Sequence, residues 1–98
     1  MYRQIILVTL LPLKPGLDEF LLEELAQIVD ASRQFSGCLS FELYRLHREP
    51  NFIVLHESWE TQETYQAYFH SQIKAELTHI VAPSLARPIE TWQLDEIF

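Results

Sequence analysis

Phe52 to His70 reads FIVLHESWETQETYQAYFH. Its first eight residues, Phe52 to Trp59, are rich in apolar and aromatic side chains, which predicts a strand. Period-two alternation sets Glu57 and Trp59 on one face of that strand and His56 on the other. Thr61 is a residue type that caps helices, so a helix is expected from Gln62 onward, with Tyr65 and Tyr68 three apart on one side. A strand running straight into a capped helix, with three rings and a carboxylate at the junction, forms either the lid of a core or the wall of a pocket.

Upstream, Cys38 to His47 (CLSFELYRLH) alternates, with Leu39, Phe41 and Leu43 on one face and Ser40, Glu42 and Tyr44 on the other. With Arg48-Glu49-Pro50-Asn51 as the turn, this segment and Phe52 to Trp59 read as an antiparallel hairpin. Before it, Leu17, Phe20, Leu21, Leu25, Ile28, Val29 and Ser32 or Phe35 recur at helical spacing, and Ser36-Gly37 supplies a stop. Acids crowd the first turn of this helix, Asp18 and Glu19 among them, where the helix dipole favours negative charge. The opening run, Gln4 to Leu11, is apolar on both faces and is stopped by Pro12, Pro15 and Gly16, as expected of a strand covered on both sides. Downstream, Ser71-Gln72 is a joint to a second helical piece ending before Pro83, and Ile89 to Phe98 returns to strand alternation. The predicted order is β-α-β-β-α-β with a split second helix, a ferredoxin-like split βαβ arrangement of the α+β class with an antiparallel sheet. In such a sheet the helices cover one face. The apolar residues on the other face need cover as well, most simply the same face of a second copy, and unpaired edge strands raise the same demand.

Ninety-eight residues suit one domain, 1–98, and a hydrophobic content of 48% with mean hydropathy near zero fits a water-soluble chain. The seven basic residues are scattered along a chain with net charge −7, which argues against nucleic acid and anionic membrane as partners. No run approaches the roughly 20 apolar residues that a membrane-spanning helix requires. The apolar N-terminal run ends at Pro12-Leu13-Lys14-Pro15-Gly16 without a small-residue cleavage site, so no leader is expected, and the lone Cys38 rules out an intrachain disulfide. A cytoplasmic protein is the expectation. The two glycines, Gly16 and Gly37, cannot build a phosphate-binding loop, so flavin and nicotinamide are not expected. No histidine pair or cysteine cluster has the spacing of a metal site.

Several stretches together carry a family likeness: Lys14-Pro15-Gly16, Ser36 to Tyr44 (SGCLSFELY), Phe52 to Trp59, and the helix from Thr61 to Tyr68. In them the sequence resembles the antibiotic biosynthesis monooxygenase (ABM) family of dimeric α/β-barrel proteins. The resemblance implies the split βαβ fold and a homodimer joined through the open sheet face. It also implies a small-molecule enzyme. Many members carry histidines where this chain has Tyr68 and Ile73, and His70 between them is displaced by about 200° around a helix. The heme-degrading branch has an Asn, a Trp and a ligating His at positions matching Thr9, Tyr68 and Thr78. His79 is one residue, about 100°, out of register, unless an irregularity near Ser71 shifts it.

What the resemblance implies for this chain is a cofactor-independent monooxygenase acting on a small aromatic compound, quinol or phenol-like. The substrate would itself reduce oxygen, while the protein binds it, helps remove its proton and excludes water. Glu57 would be the base or orienter, with Trp59, Tyr44, Tyr65 and Tyr68 as walls and Thr9 as a polar contact. The bland alternative makes Trp59 core and Glu57 an anchor for a nearby backbone amide. At the level of function, the alternatives are a non-enzymatic small-molecule-binding or interaction domain of the same fold and, further off, a heme-degrading enzyme. His56 would face the dimer barrel, His47 and His70 would be solvated, and Cys38 would be a small buried residue.

Overall fold

The computed structural model describes residues 4–16 and 19–98. Met1 to Arg3 lie outside the described residues, as do Leu17 and Asp18, which the sequence places at the start of the first helix. Four strands and three helices follow in the order β1 (Ile5–Pro12), α1 (Glu19–Arg33), β2 (Cys38–Leu46), β3 (Glu49–Trp59), α2 (Gln62–Phe69), α3 (Gln72–Val81) and β4 (Glu90–Leu94), with a 3-10 turn at Ala82–Ser84 before β4. The sheet is antiparallel throughout and ordered β2-β3-β1-β4, so β3 and β1 are central and β2 and β4 are edges. This is the ferredoxin-like α+β fold, with the sheet open rather than closed on itself.

Register divides the strands into two faces. On the helix side, Leu7 and Phe41 flank Glu57, Thr9 and Leu43 flank Leu55, and Ile5 and Cys38 flank Trp59. Against these pack Leu21, Leu25, Ile28 and Val29 of α1, Tyr68 of α2, and Leu77 and Val81 of α3, all buried. The opposite face carries Ile6, Val8 and Leu10, their cross-strand partners Ser58, His56 and Val54, and Leu94 and Trp92 of β4. Trp92 and Leu94 are about half exposed there.

Four local readings are corrected. The hairpin turn is His47-Arg48, with Leu46 paired to Glu49 and Arg48 at φ 67°, so β3 begins three residues earlier than Phe52. Pro50 is tolerated within the strand because it sits beyond the end of β1, where the β2 register also shifts, so its missing N–H breaks no ladder. A second irregularity between Cys38 and Ser40 leaves Leu39 as an extra residue, exposed instead of sharing the core face with Phe41. Phe20 is 70% exposed, because it lies about a third of a turn from the stripe of Leu21, Leu25, Ile28 and Ser32. Finally, β4 ends at Leu94, short of Phe98.

The junction that opens the chain's central stretch is held by caps. The Thr61 hydroxyl accepts from Thr64 N at 3.1 Å and the Thr64 hydroxyl accepts from Thr61 N at 3.1 Å, a reciprocal box with Thr in the usual Glu position. Ser71 caps α3 by accepting from Lys74 N at 3.2 Å, which is the expected joint. Gly37 makes the close approach possible: its carbonyl accepts from Glu60 N at 2.9 Å, and a Cβ built on it would overlap the Thr64 side chain. Gly16 has a similar φ, 90° against 88°, but open space around it. Both Gly→Ala variants incur the positive-φ cost of about 1 kcal/mol, and only Gly37→Ala adds a steric conflict. We expect urea denaturation to rank Gly37→Ala as less stable than Gly16→Ala by at least about 1 kcal/mol; equal losses would mean that α2 does not rest on Gly37.

Candidate functional site

β3 delivers Glu57 to the centre of the helix-side face, where the residue is 3% exposed. On a central strand the neighbouring backbone amides are already engaged by ladder bonds to β1 and β2. The carboxylate is held instead by a side chain: Trp59 Nε1 donates to Glu57 Oε1 at 2.9 Å. Two residues apart on one strand face, indole and carboxylate are adjacent by construction. The other carboxylate oxygen takes no hydrogen bond among the described residues. Because no fully buried side-chain oxygen among those residues is left unpartnered, that oxygen keeps some contact with solvent.

Around the indole stands a cluster of rings. Tyr68, wholly buried, stacks on Trp59 with centroids 4.6 Å apart, and Phe35 meets both rings edge-on at 6.0 and 5.5 Å. Phe41 adds an edge contact to Tyr68 at 5.7 Å. The Tyr68 hydroxyl shares a 2.9 Å hydrogen bond with the hydroxyl of Ser32, which ties α2 to α1. Tyr65 lies tilted against Trp59 at 6.4 Å and leads outward to Phe69 at 6.0 Å and then His70 at 5.3 Å, so the cluster runs from the core to the surface.

Burial governs the protonation of this group. Desolvation pushes the Glu57 carboxyl above its ordinary value, and the Trp59 hydrogen bond, with smaller contributions from Lys74 and His56, pulls back against it. Tyr68 is driven well above the usual phenol range by burial, so its hydroxyl stays protonated. Tyr65 is raised by burial and then by the Glu57 charge, and the Cys38 thiol is raised in the same order of causes.

The expected site residues are brought together in part. Glu57, Trp59, Tyr65 and Tyr68 form one contiguous group. Thr9 is buried on the same sheet face, but its hydroxyl pairs with that of Thr91 at 3.1 Å, one strand away from Glu57. Tyr44 does not join them: it pairs with Val54 on the opposite face and is 56% exposed. Thr78 and His79 are both exposed on α3, as is His70 at the end of α2, while His56 lies on the open face. Sequence reasoning missed Phe35 and Ser32 as parts of the cluster; the one available signal was a small polar residue, Ser32, in the apolar stripe of α1. It also missed Lys74, close enough to act on the Glu57 charge.

A raised carboxyl pKa makes the folded state bind the Glu57 proton more tightly than the unfolded chain does. Its contribution to stability is therefore fully present at low pH and is lost as pH climbs from the ordinary 4.5 through the raised folded value. Glu57→Gln keeps an oxygen for Trp59 Nε1 but cannot ionise. The stability of Glu57→Gln relative to wild type, from urea midpoints across this range, should rise with pH; a flat difference would show that Glu57 titrates as it does in the unfolded chain.

Comparison with known proteins agrees with this architecture. No curated protein sequence matches the chain. Among solved structures, the Rv0793 protein of Mycobacterium tuberculosis superposes with a TM-score of 0.85 at 19% identity, covering 98% of this chain and 97% of that one. A Nitrosomonas europaea protein, described as a candidate antibiotic biosynthesis monooxygenase, gives 0.86 at 17% identity over 96% and 99% of the two chains. A conserved protein of Methanosarcina mazei gives 0.86 at 15% identity over 93% and 90%. At these identities the likeness establishes the fold. Among the described residues no helix is long and apolar enough to cross a membrane. The family itself comes from the sequence: residues 4–79 match the model of the antibiotic biosynthesis monooxygenase family, and the chain belongs to that family.

Proposed function

We propose that this protein is a cofactor-independent monooxygenase that oxidises a small quinol or phenol-like compound, with Glu57 as its proton acceptor. The observation that supports this most directly is a buried carboxyl fixed through one oxygen by Trp59 Nε1, its second oxygen taking no hydrogen bond among the described residues, beside Tyr65 and Tyr68. A carboxyl raised by burial is poised to exchange protons with an aromatic hydroxyl. In the proposed reaction, a hydroquinone and dioxygen give a hydroxyquinone and water. Proton loss to Glu57 leaves a phenolate that passes an electron to dioxygen. The radical pair then combines at a ring carbon, and the resulting peroxide loses water. Tyr65, partly exposed, would border the aromatic ring, with the wholly buried Trp59 and Tyr68 packed behind it. Thr9 would contribute only to parts of a ligand that extend beyond this group, and Tyr44, on the opposite face of the sheet, would take no part.

A panel of substituted hydroquinones in an oxygen electrode tests the proposal. We expect protein-dependent oxygen uptake with at least one compound, and a loss of at least about a hundredfold in Glu57→Gln with substrate affinity little changed. The close packing of Glu57 within the ring cluster favours one other reading, a binding or interaction domain that keeps the fold without the chemistry. Saturable binding of a hydroquinone with no oxygen uptake across the panel would establish that reading instead.

The same proposal includes a homodimer joined through the open sheet face. It is supported by Ile6, Val8, Val54, Trp92 and Leu94, which leave an apolar surface on the side without helices. Sedimentation at micromolar concentration should give twice 11.6 kDa. Val8→Asp should shift it to the monomer; an unchanged mass in that variant would place the contact elsewhere.

A further inference from the structure

Helix α1 carries Leu22, Ala26, Val29 and Arg33 in one row, at successive spacings of four, three and four residues. Facing this row, edge strand β2 presents Leu43 and Arg45, which share the helix side of the sheet through their partners Leu55 and Ile53. Between α1 and β2 lies a groove of about 380 Å³, within the size range of small-molecule sites. It is separate from the Glu57 cluster, whose rings none of its lining residues contributes.

The chain has 14 acidic and seven basic residues, yet two arginines and no carboxylate line this groove. Arg33 is held in place at the rim: Nε donates to the Phe41 carbonyl at 2.9 Å and Nη2 to Glu42 Oε2 at 2.8 Å. A guanidinium has five N–H donors, so three remain on Arg33. Arg45 is exposed and makes no ion pair or hydrogen bond among the described residues. Aliphatic walls with two guanidiniums at the rim match a ligand that has an apolar chain and an anionic head.

The geometry points to a binding site for an amphiphilic carboxylate, its aliphatic chain laid between Leu22, Ala26, Val29 and Leu43 and its head group paired with Arg45 and the free edge of Arg33. Apolar burial supplies affinity and the guanidiniums supply selectivity for a planar, two-oxygen anion. This site stands independently of the proposed oxygenase chemistry, and the test below does not involve turnover.

Decanoate and decanol have the same chain and differ in the head group, so calorimetric titration of the full chain with each separates the two contributions. We expect saturable decanoate binding, with decanol weaker by at least about tenfold. Arg45→Gln, at an exposed position, should weaken decanoate by about tenfold and leave decanol unchanged. Ala26→Phe fills the groove and should abolish binding of both. The proposal is overturned if decanol binds as well as decanoate, if Arg45→Gln has no effect, or if Ala26→Phe still binds. A change of assembly state on Ala26→Phe, seen by sedimentation, would likewise overturn it, because the groove would then be a contact between copies of the chain.

Discussion

The hydrogen bond from Trp59 Nε1 to Glu57 is the point on which the interior is organised. A carboxyl group at 3% exposure in an apolar, aromatic setting is costly unless it is partnered, and here the partner is an indole that is itself wholly buried. The indole is fixed by the Tyr68 ring stacked on it, and that ring is fixed in turn by the hydroxyl of Ser32. Carboxyl, indole, phenol and serine thus link β3, α2 and α1 through two buried hydrogen bonds joined by one ring stack, each requiring the next. Truncating any one of them would leave a buried donor or acceptor without its partner, so specificity of packing, as well as apolar area, is written into this series.

This linkage demands that α2 begin at a defined place. Tyr68 follows Trp59 by nine residues, and the two rings stack only if the chain reverses at once and the helix starts with a fixed phase. The Thr61–Thr64 box sets that phase, and the absence of a side chain at Gly37 lets the first turn of α2 settle against the α1–β2 connection. Local hydrogen-bond chemistry at one end of a helix therefore determines a tertiary contact more than a turn away. Ser71 then breaks the helical segment and restarts it as α3, directing Leu77 and Val81 into the core while Thr78 and His79 are left outside.

Element order, the caps at Thr61 and Ser71, and the shared face of Glu57 and Trp59 were legible in the sequence because each depends on residues within a few positions of one another. Features that depend on pairing were not. Leu39 leaves the core face because of a bulge against β3, and alternation along β2 alone carries no record of it. The sequence points to a turn at Arg48 to Asn51 instead of His47-Arg48, because Pro50 looks like a turn residue until the end of β1 is known. Alternation puts Tyr44 on the face of β2 opposite to Phe41, but which of those faces meets Glu57 is fixed only by register. The Ser32–Tyr68 bond joins residues 36 apart in the chain, and neither signals the other.

The partner of Glu57 shows how topology selects chemistry. An anchoring backbone amide was the plain expectation for a buried carboxylate, and it suits an edge or a helix start, where amides are free. Glu57 sits instead on β3, paired on both sides, so the ladder has already used the nearby amides. What remains within reach is a side-chain donor on the same face two residues on, and Trp59 is the residue type that offers one N–H on a large apolar body. A single N–H satisfies one oxygen. The same carboxylate anchored by two or three amides would be held far down in pKa; with one indole donor, burial prevails and the carboxyl is raised. Placing the acid on a central strand thus yields both the constraint that orders the rings around it and a carboxyl group that holds its proton more tightly than a solvated one.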